Sequence, residues 1–345
     1  MKTIGSSICT MTIAVLALST PAWGQLRDHS GKPVTLTELK AGYPRPASVP
    51  FPADNAYTKE RELLGRTLFF DPRLSVSNFI SCASCHNPGF SWGDGLPKGI
   101  GHGMKEVGRR TPTILNGAWS ELLFWDGRAE SLEAQAVGPI EAPGEMNMPL
   151  DELLPKLGRI PGYRPLFEQA YPGEGISKNT LAKAIATFER TVVSGIAPFD
   201  NWVAGKEDAI SDAAKRGFVL FTGKARCTAC HSTWTFTDGS FHDVGLPSAD
   251  LGRGKLLPQI TRMQHAFKTP TLRNVDQRGP YMHDGSVPTL RAVIDLYDTG
   301  GVARPSRSPE IKPLGLTEAE KEDLIAFLRT LTSVDAAVSI PALPR

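Results

Sequence analysis

The sequence predicts a mostly α-helical chain of two similarly built domains with long irregular loops. Three observations predict it. The pattern Cys-x-x-Cys-His occurs twice, in "FISCASCHNP" (79–88) and in "ARCTACHSTW" (225–234). A helical segment with the same Gly-x-x-Leu-Phe core leads into each pattern, and an amphipathic helix closes each unit. The 33 Gly and 28 Pro suit a chain with much of its length in loops.

The elements can be taken in order. Residues 1–24 read as a signal peptide: Lys2, a short apolar run over 8–18, and the small-x-small site Ala22-Trp23-Gly24, with Gln25 as the mature start. The run is too short for a membrane span, and no later stretch is long enough either. The expected location is therefore periplasmic. Residues 25–53 are Pro-rich and lack periodicity, which predicts an extended lead segment. The first domain, 54–200, opens with "KERELLGRTLFFDPRLS" and closes with "NTLAKAIATFERTVVSG" (179–195). The second, 201–345, opens with "SDAAKRGFVLFTGKAR", where Ser211 and Asp212 suit an N-cap. It closes with "TEAEKEDLIAFLRTLTS" (317–333). There Thr317 caps toward Glu320, and Leu324, Ile325, Phe327, Leu328 and Leu331 recur at helical spacing. The boundary falls near "GIAPFDNWVAGKED".

Removal of the signal peptide takes Cys9 and leaves Cys82, Cys85, Cys227 and Cys230. With 7 His in the chain, a His following one pair by chance is about a 2 % event, and following both roughly a 0.04 % event at ordinary composition. Disulfide-stapled folds are small and Cys-dense, unlike this chain. A zinc ribbon joins its pairs over a short gap, and a thioredoxin-type pair needs neither the His nor a duplicate. Cys-x-x-Cys-His is the c-type haem attachment pattern. Two thiols reach the vinyl groups on one porphyrin edge, and the adjoining imidazole turns to the iron. Two covalent haem c groups follow, with His86 and His231 as iron ligands. A helix leading into the motif and a closing helix across it is the cytochrome c plan, so the fold class is mostly α with two cytochrome c-like haem domains. The net charge of +2 gives no case for nucleic-acid binding.

Longer stretches, including "RRTPTILN", "FWDGRAESLEAQAVGPIEAPGEMNMP", "KTPTLRNV" and "GPYMHDG", resemble the bacterial di-haem cytochrome c peroxidases and the related enzyme MauG. The resemblance covers about residues 54–335. It implies that the His86 haem is the peroxidatic one. His102 matches the loop histidine that blocks that haem in resting peroxidases. Trp125 matches the tryptophan between the haems, and Gln135 and Glu145 the pair on the peroxide-binding face. Tyr297 matches the tyrosine on the second iron in MauG, where the peroxidases use methionine; Met282 and Met263 are the spare thioethers. Each residue type also has an ordinary use: Glu145 as a solvated carboxylate, Trp125 as core, His102 as a loop residue, Gln135 as a surface amide. His242 and His283 are candidates for haem propionates or catalytic water, and equally for structural roles.

Chemistry supports the same set. Splitting peroxide at iron needs an open coordination site and a group that carries a proton between the oxygens, which a carboxylate such as Glu145 can do. Two features depart from the pattern. His102, a peroxidase trait, occurs with Tyr297, a MauG trait. Arg110 stands where the family has the asparagine that binds an inter-domain calcium, and a guanidinium cannot ligate a cation, so calcium is doubtful. The expected function is peroxide reduction at the first haem, with electrons arriving through the second haem and Trp125 from a small cytochrome c or cupredoxin. One alternative is a MauG-like enzyme that oxidises residues of a partner protein. An alternative of another class is a non-catalytic di-haem electron carrier, against which the Trp125, Gln135 and Glu145 set argues.

Overall fold

The computed structural model describes residues 25–345; the signal-peptide assignment lies outside them. The described chain is mostly helical, with two minimal two-stranded sheets. Helices α1 (Leu36–Ala41), α2 (Lys59–Phe70), α3 (Cys82–Cys85), α4 (Leu132–Glu141), α5 (Leu150–Gly158), α6 (Tyr163–Ala170) and α7 (Lys178–Thr191) are followed by α8 (Pro198–Val203), α9 (Asp212–Thr222), α10 (Leu290–Thr299) and α11 (Glu318–Arg329). Strands β1 (Leu26–Arg27) and β2 (Pro33–Val34) pair antiparallel, as do β3 (Phe241–His242) and β4 (Phe267–Lys268). Among the described residues no helix is long and apolar enough to cross a membrane.

The lead segment is not simply extended. It forms the β1–β2 hairpin and then α1, whose N-cap Thr35 and Glu38 make a reciprocal capping box. Tyr43 inserts into the second core, stacking on Phe236 at 4.8 Å. The other caps follow sequence expectation: Ser211 accepts from Ala214 N–H and Thr317 from Glu320 N–H.

There are two main hydrophobic cores. The first gathers Leu64, Leu68, Phe69, Leu153, Tyr163, Leu181, Ile185 and Phe188. The second gathers Phe199, Trp202, Phe218, Phe221, Phe236, Leu324, Phe327 and Leu331. Helix α2 crosses α7 in the first, and α9 crosses α11 in the second. Both crossings depend on a glycine. A Cβ on Gly65 would lie 1.9 Å from Ala184 O, and one on Gly217 would lie 1.9 Å from Asp323 O. Only a hydrogen fits, so the helix backbones touch there.

The two halves repeat one another beyond these helices. Asn116 and Asn274 both take left-handed backbone conformations, φ +61° and +57°. Each ties down the exit of its closing helix: Asn116 N–H donates to Val192 O and its Oδ1 accepts from Ser194 N–H, while Asn274 does the same with Leu331 and Ser333. That register sets "RRTPTILN" against "FKTPTLRN", so Arg110 corresponds to Lys268. Likewise the bridges Leu123↔Ala129 and Tyr281↔Val287 match, as do the positive φ values of Phe124 and Met282. Trp125 therefore corresponds to His283. The halves interlock at this point: Arg110 N–H donates to His283 O and Lys268 N–H to Trp125 O, each at 2.8 Å. Arg109 reinforces the junction by bonding both Asp126 and Asp250 at 2.7 Å.

Candidate active site

Each Cys-x-x-Cys-His segment makes one tight helical turn, in which His86 N–H donates to Cys82 O and His231 N–H to Cys227 O, both at 2.8 Å. This turn sets the imidazole beside its two thiols. His86 Nδ1 meets Trp92 O at 3.3 Å, and His231 Nδ1 meets Phe236 O at 2.8 Å. A carbonyl accepting from Nδ1–H fixes the tautomer with Nε2 as the free lone pair, the arrangement a metal-binding histidine requires. Burial also lowers the pKa of both imidazoles and so favours the neutral ligand form. The four cysteines are unpaired in disulfides.

Both motifs open onto one continuous cavity of about 1690 Å³. Single-ligand pockets span about 300–1,000 Å³, so this space suits two macrocycles better than one. Its chemistry suits haem as well. Three cations on its wall, the buried Arg110 and Arg278 and the part-buried Lys268, have no carboxylate partner among the described residues. Desolvation lowers the pKa of all three, to about 8 for Lys268 and about 9 for Arg278. Arg110 Nε has no hydrogen-bond partner. Cations buried in this way call for anions, and the propionates of a haem would provide them.

The structure brings most of the sequence-selected residues to this cavity. Trp125, Gln135, Glu145 and Tyr297 all line it, as do Met263 and Met282. Trp125 Nε1–H donates to Arg110 O at 2.8 Å, and its ring meets His283 edge to face at 6.5 Å. His283 in turn stacks on Phe267 at 3.5 Å, and burial pushes its pKa down to about 4. Gln135 projects from α4, whose N-cap is Ser131. The Glu145 carboxyl makes no hydrogen bond among the described residues, and desolvation raises its pKa against the weaker pull of Arg128. Tyr297 sits near the C-terminus of α10, beside Cys227 and Cys230, and burial pushes its phenol up. A ferric ion bound to the phenol would offset that penalty, because it would favour the deprotonated ligand.

His102 falls outside this set. Ile100 and Gly101 line the cavity, but His102 does not. It begins a short 3₁₀ turn, its N–H donates to Glu145 O at 2.8 Å, and its Nδ1 is buried without a partner. His242 pairs with Asp238 at 2.7 Å, and that bond raises its pKa. The Arg110 guanidinium donates to Arg278 O and Thr111 O, carbonyls of the kind a metal cation gathers. Sequence reasoning missed Lys268, Arg278 and Glu189. The repeat of "RRTPTILN" by "FKTPTLRN" was the available signal for Lys268. For Glu189, inside an amphipathic helix, there was none.

Two such loops on one cavity, each with a neutral imidazole beside two thiols, define a di-haem c-type oxidoreductase. Comparison with known proteins agrees. A family described as di-haem cytochrome c peroxidase matches residues 59–208, and one described as cytochrome c matches 214–332. The methylamine utilization protein MauG of Methylorubrum extorquens is 55 % identical over 312 residues, covering 90 % of this chain and 88 % of that protein. MauG of Methylophilus methylotrophus is 51 % identical, covering 88 % and 91 %. The cytochrome c551 peroxidase of Nitrosomonas europaea is 32 % identical, covering 97 % and 95 %. Among solved structures, a MauG-like protein associated with microbial copper homeostasis superposes with a TM-score of 0.78 at 32 % identity, covering 84 % of this chain and 95 % of that one. The chain belongs to the di-haem cytochrome c peroxidase and MauG family, and with that membership goes a complement of two covalently bound haem c groups.

Proposed function

We propose that this protein is an exported di-haem enzyme of the MauG type, which reacts with hydrogen peroxide at the first haem and takes the electrons from residues of a partner protein. The observation that carries this reading is the position of Tyr297, in the cavity wall beside Cys227 and Cys230. When bound, the haems supply the two-electron chemistry that peroxide reduction needs. The chain's residues do the rest. The four cysteines, His86 and His231 would hold the groups, and Tyr297 would serve as a further ligand to the second iron. Arg110, Arg278 and Lys268 on the cavity wall would offer positive charge to the propionates. Glu145 accepts a proton from one peroxide oxygen and returns it to the other, with Gln135 beside it to orient the substrate. Trp125, hydrogen-bonded across the junction, is the relay between the sites. Export is supported by the pattern of residues 1–24.

A second reading keeps the peroxidase mode, with a small cytochrome or cupredoxin as donor. Met263 and Met282 on the same wall favour it. Peroxide added to the fully oxidised protein distinguishes the two. With Tyr297 on the second iron, the absorption spectrum changes at once and stoichiometrically. With methionine there, no reaction occurs until the second haem has been reduced.

A further inference from the structure

Glu189 is a buried carboxylate with no hydrogen-bond partner among the described residues, in a position where the fold does not call for one. It lies on α7, 4 % exposed, and its Oε2 makes no hydrogen bond. It lines the haem cavity together with Ile185, one turn earlier. It is close enough to Cys82 that its charge pushes that thiol's pKa up. The internal repeat shows what the cytochrome plan puts there. Phe188 packs on Gly65 as Phe327 packs on Gly217, and Val192 is held by Asn116 as Leu331 is by Asn274. In that register Ile185 and Glu189 correspond to Leu324 and Leu328, which line the same cavity from α11. The second domain folds with leucine where the first carries an acid, so packing does not require the carboxyl.

The charged groups on the neighbouring helices make bonds elsewhere, although Arg66 Nε is buried without a partner among the described residues. Arg190 and Glu133 bind each other at 2.7 and 2.9 Å. On α2, Arg61 donates to Ala56 O and Ala170 O, and Arg66 to Ser339. Glu145 also lines the cavity, and its charge acts on both Cys82 and Cys85. Desolvation, only partly opposed by Arg190, pushes the Glu189 pKa up to about 8, which favours the neutral acid over the carboxylate.

We propose that Glu189 is a carboxylic acid set against the first haem, on its Cys82 edge, and that it exchanges its proton in step with that iron's electron. On oxidation, one electron leaves the iron for an external acceptor and the proton leaves Glu189 for solvent. On reduction both return. The added positive charge on oxidised iron stabilises the nearby carboxylate, and the neutral acid accommodates the reduced state.

The proposal rests on haem occupying the first motif but not on any reaction with peroxide, so it is tested without peroxide. Mass and visible spectrum first confirm both haems in wild type and in Glu189→Gln. The midpoint potential of the first haem is then titrated with redox mediators at a series of pH values. It is expected to fall with rising pH around pH 8, where Glu189 ionises, and to lose that dependence in Glu189→Gln. The reduced-minus-oxidised infrared spectrum of the wild type should contain a carboxylic-acid carbonyl band that the variant lacks. Glu189→Leu, the residue of the second domain, should keep the fold, raise the denaturation midpoint and abolish the same pH dependence. An identical pH dependence in wild type and variants, or an infrared difference spectrum without an acid carbonyl band, would overturn the proposal.

Discussion

Replacing Glu145 with glutamine keeps the size of the side chain and removes its ability to take up a proton. The structure indicates what else would stay in place. Glu145 N–H donates to Ala142 O and Glu145 O accepts from His102 N–H. Gly144 O lies against Gly101, where a Cβ would approach to 1.9 Å. All these anchors are backbone, and the substitution leaves them intact. The carboxyl itself makes no hydrogen bond whose loss would disturb the loop. General acid–base catalysis is worth about 10²–10⁴ in rate, and even the lower figure is about 2.7 kcal/mol of barrier. Steady-state peroxide consumption by Glu145→Gln should therefore fall by roughly 10²-fold or more, with both haem spectra unchanged. The pH profile offers a second check. The mechanism needs the carboxylate to start, and burial raises this pKa. Activity is thus present above the raised pKa and lost as pH falls through it, so the acid limb lies above the usual glutamate range. That limb should disappear in the variant. Unchanged turnover, or an acid limb that survives the substitution, would refute the assignment.

Other expectations follow from the same geometry. Trp125→Phe removes the 2.8 Å bond to Arg110 O, at a cost of about 1 kcal/mol; each haem spectrum should be nearly unchanged while inter-haem electron transfer, followed by flash photolysis, slows. A native transfer rate would make Trp125 simple packing. Arg110 already donates to the Arg278 and Thr111 carbonyls, so activity should survive chelators; stoichiometric calcium whose removal abolishes activity would contradict that. Gly217→Ala drives a methyl toward Asp323 O and should cost about 1–3 kcal/mol or more, seen as a lower denaturant midpoint. An unchanged midpoint would mean that the helix crossing is looser than the structure shows.

Local signals were legible in the sequence where one residue type has a narrow use. Cys-x-x-Cys-His located both sites, and the two glycines in register marked the repeat, though not the helix crossings that they permit. Ser211 and Thr317 marked helix starts because a side-chain oxygen there satisfies an N–H that otherwise has no partner. The closing helix of the first unit, expected to run to 195, ends at Thr191, because Asn116 claims the backbone of Val192 and Ser194. That long-range competition leaves no local pattern. The capping box Thr35-x-x-Glu38 was present in the lead segment, but the surrounding prolines masked it. His102 and Glu145 were both picked out, yet which of them faces the cavity depends on how closely Gly101 packs against Gly144, which periodicity does not encode. Glu189 was hidden because a charged residue in a helix ordinarily faces water, and only the assembled cavity shows that this one does not; Lys268 was marked only by its place opposite Arg110 in the repeated stretch.

The central claim is that Tyr297 binds the second iron. It is tested most directly by the midpoint potential and near-infrared spectrum of the second haem in wild type and in Tyr297→Phe. A phenolate is anionic and favours ferric iron, while a thioether is neutral and favours ferrous iron. The wild type should show a low potential and no methionine charge-transfer band in the ferric state, and Tyr297→Phe should change that haem's ferric spectrum and raise its potential. A wild-type protein with the methionine band, and a variant with unaltered spectrum and potential, would place Met263 or Met282 on the iron and contradict the account.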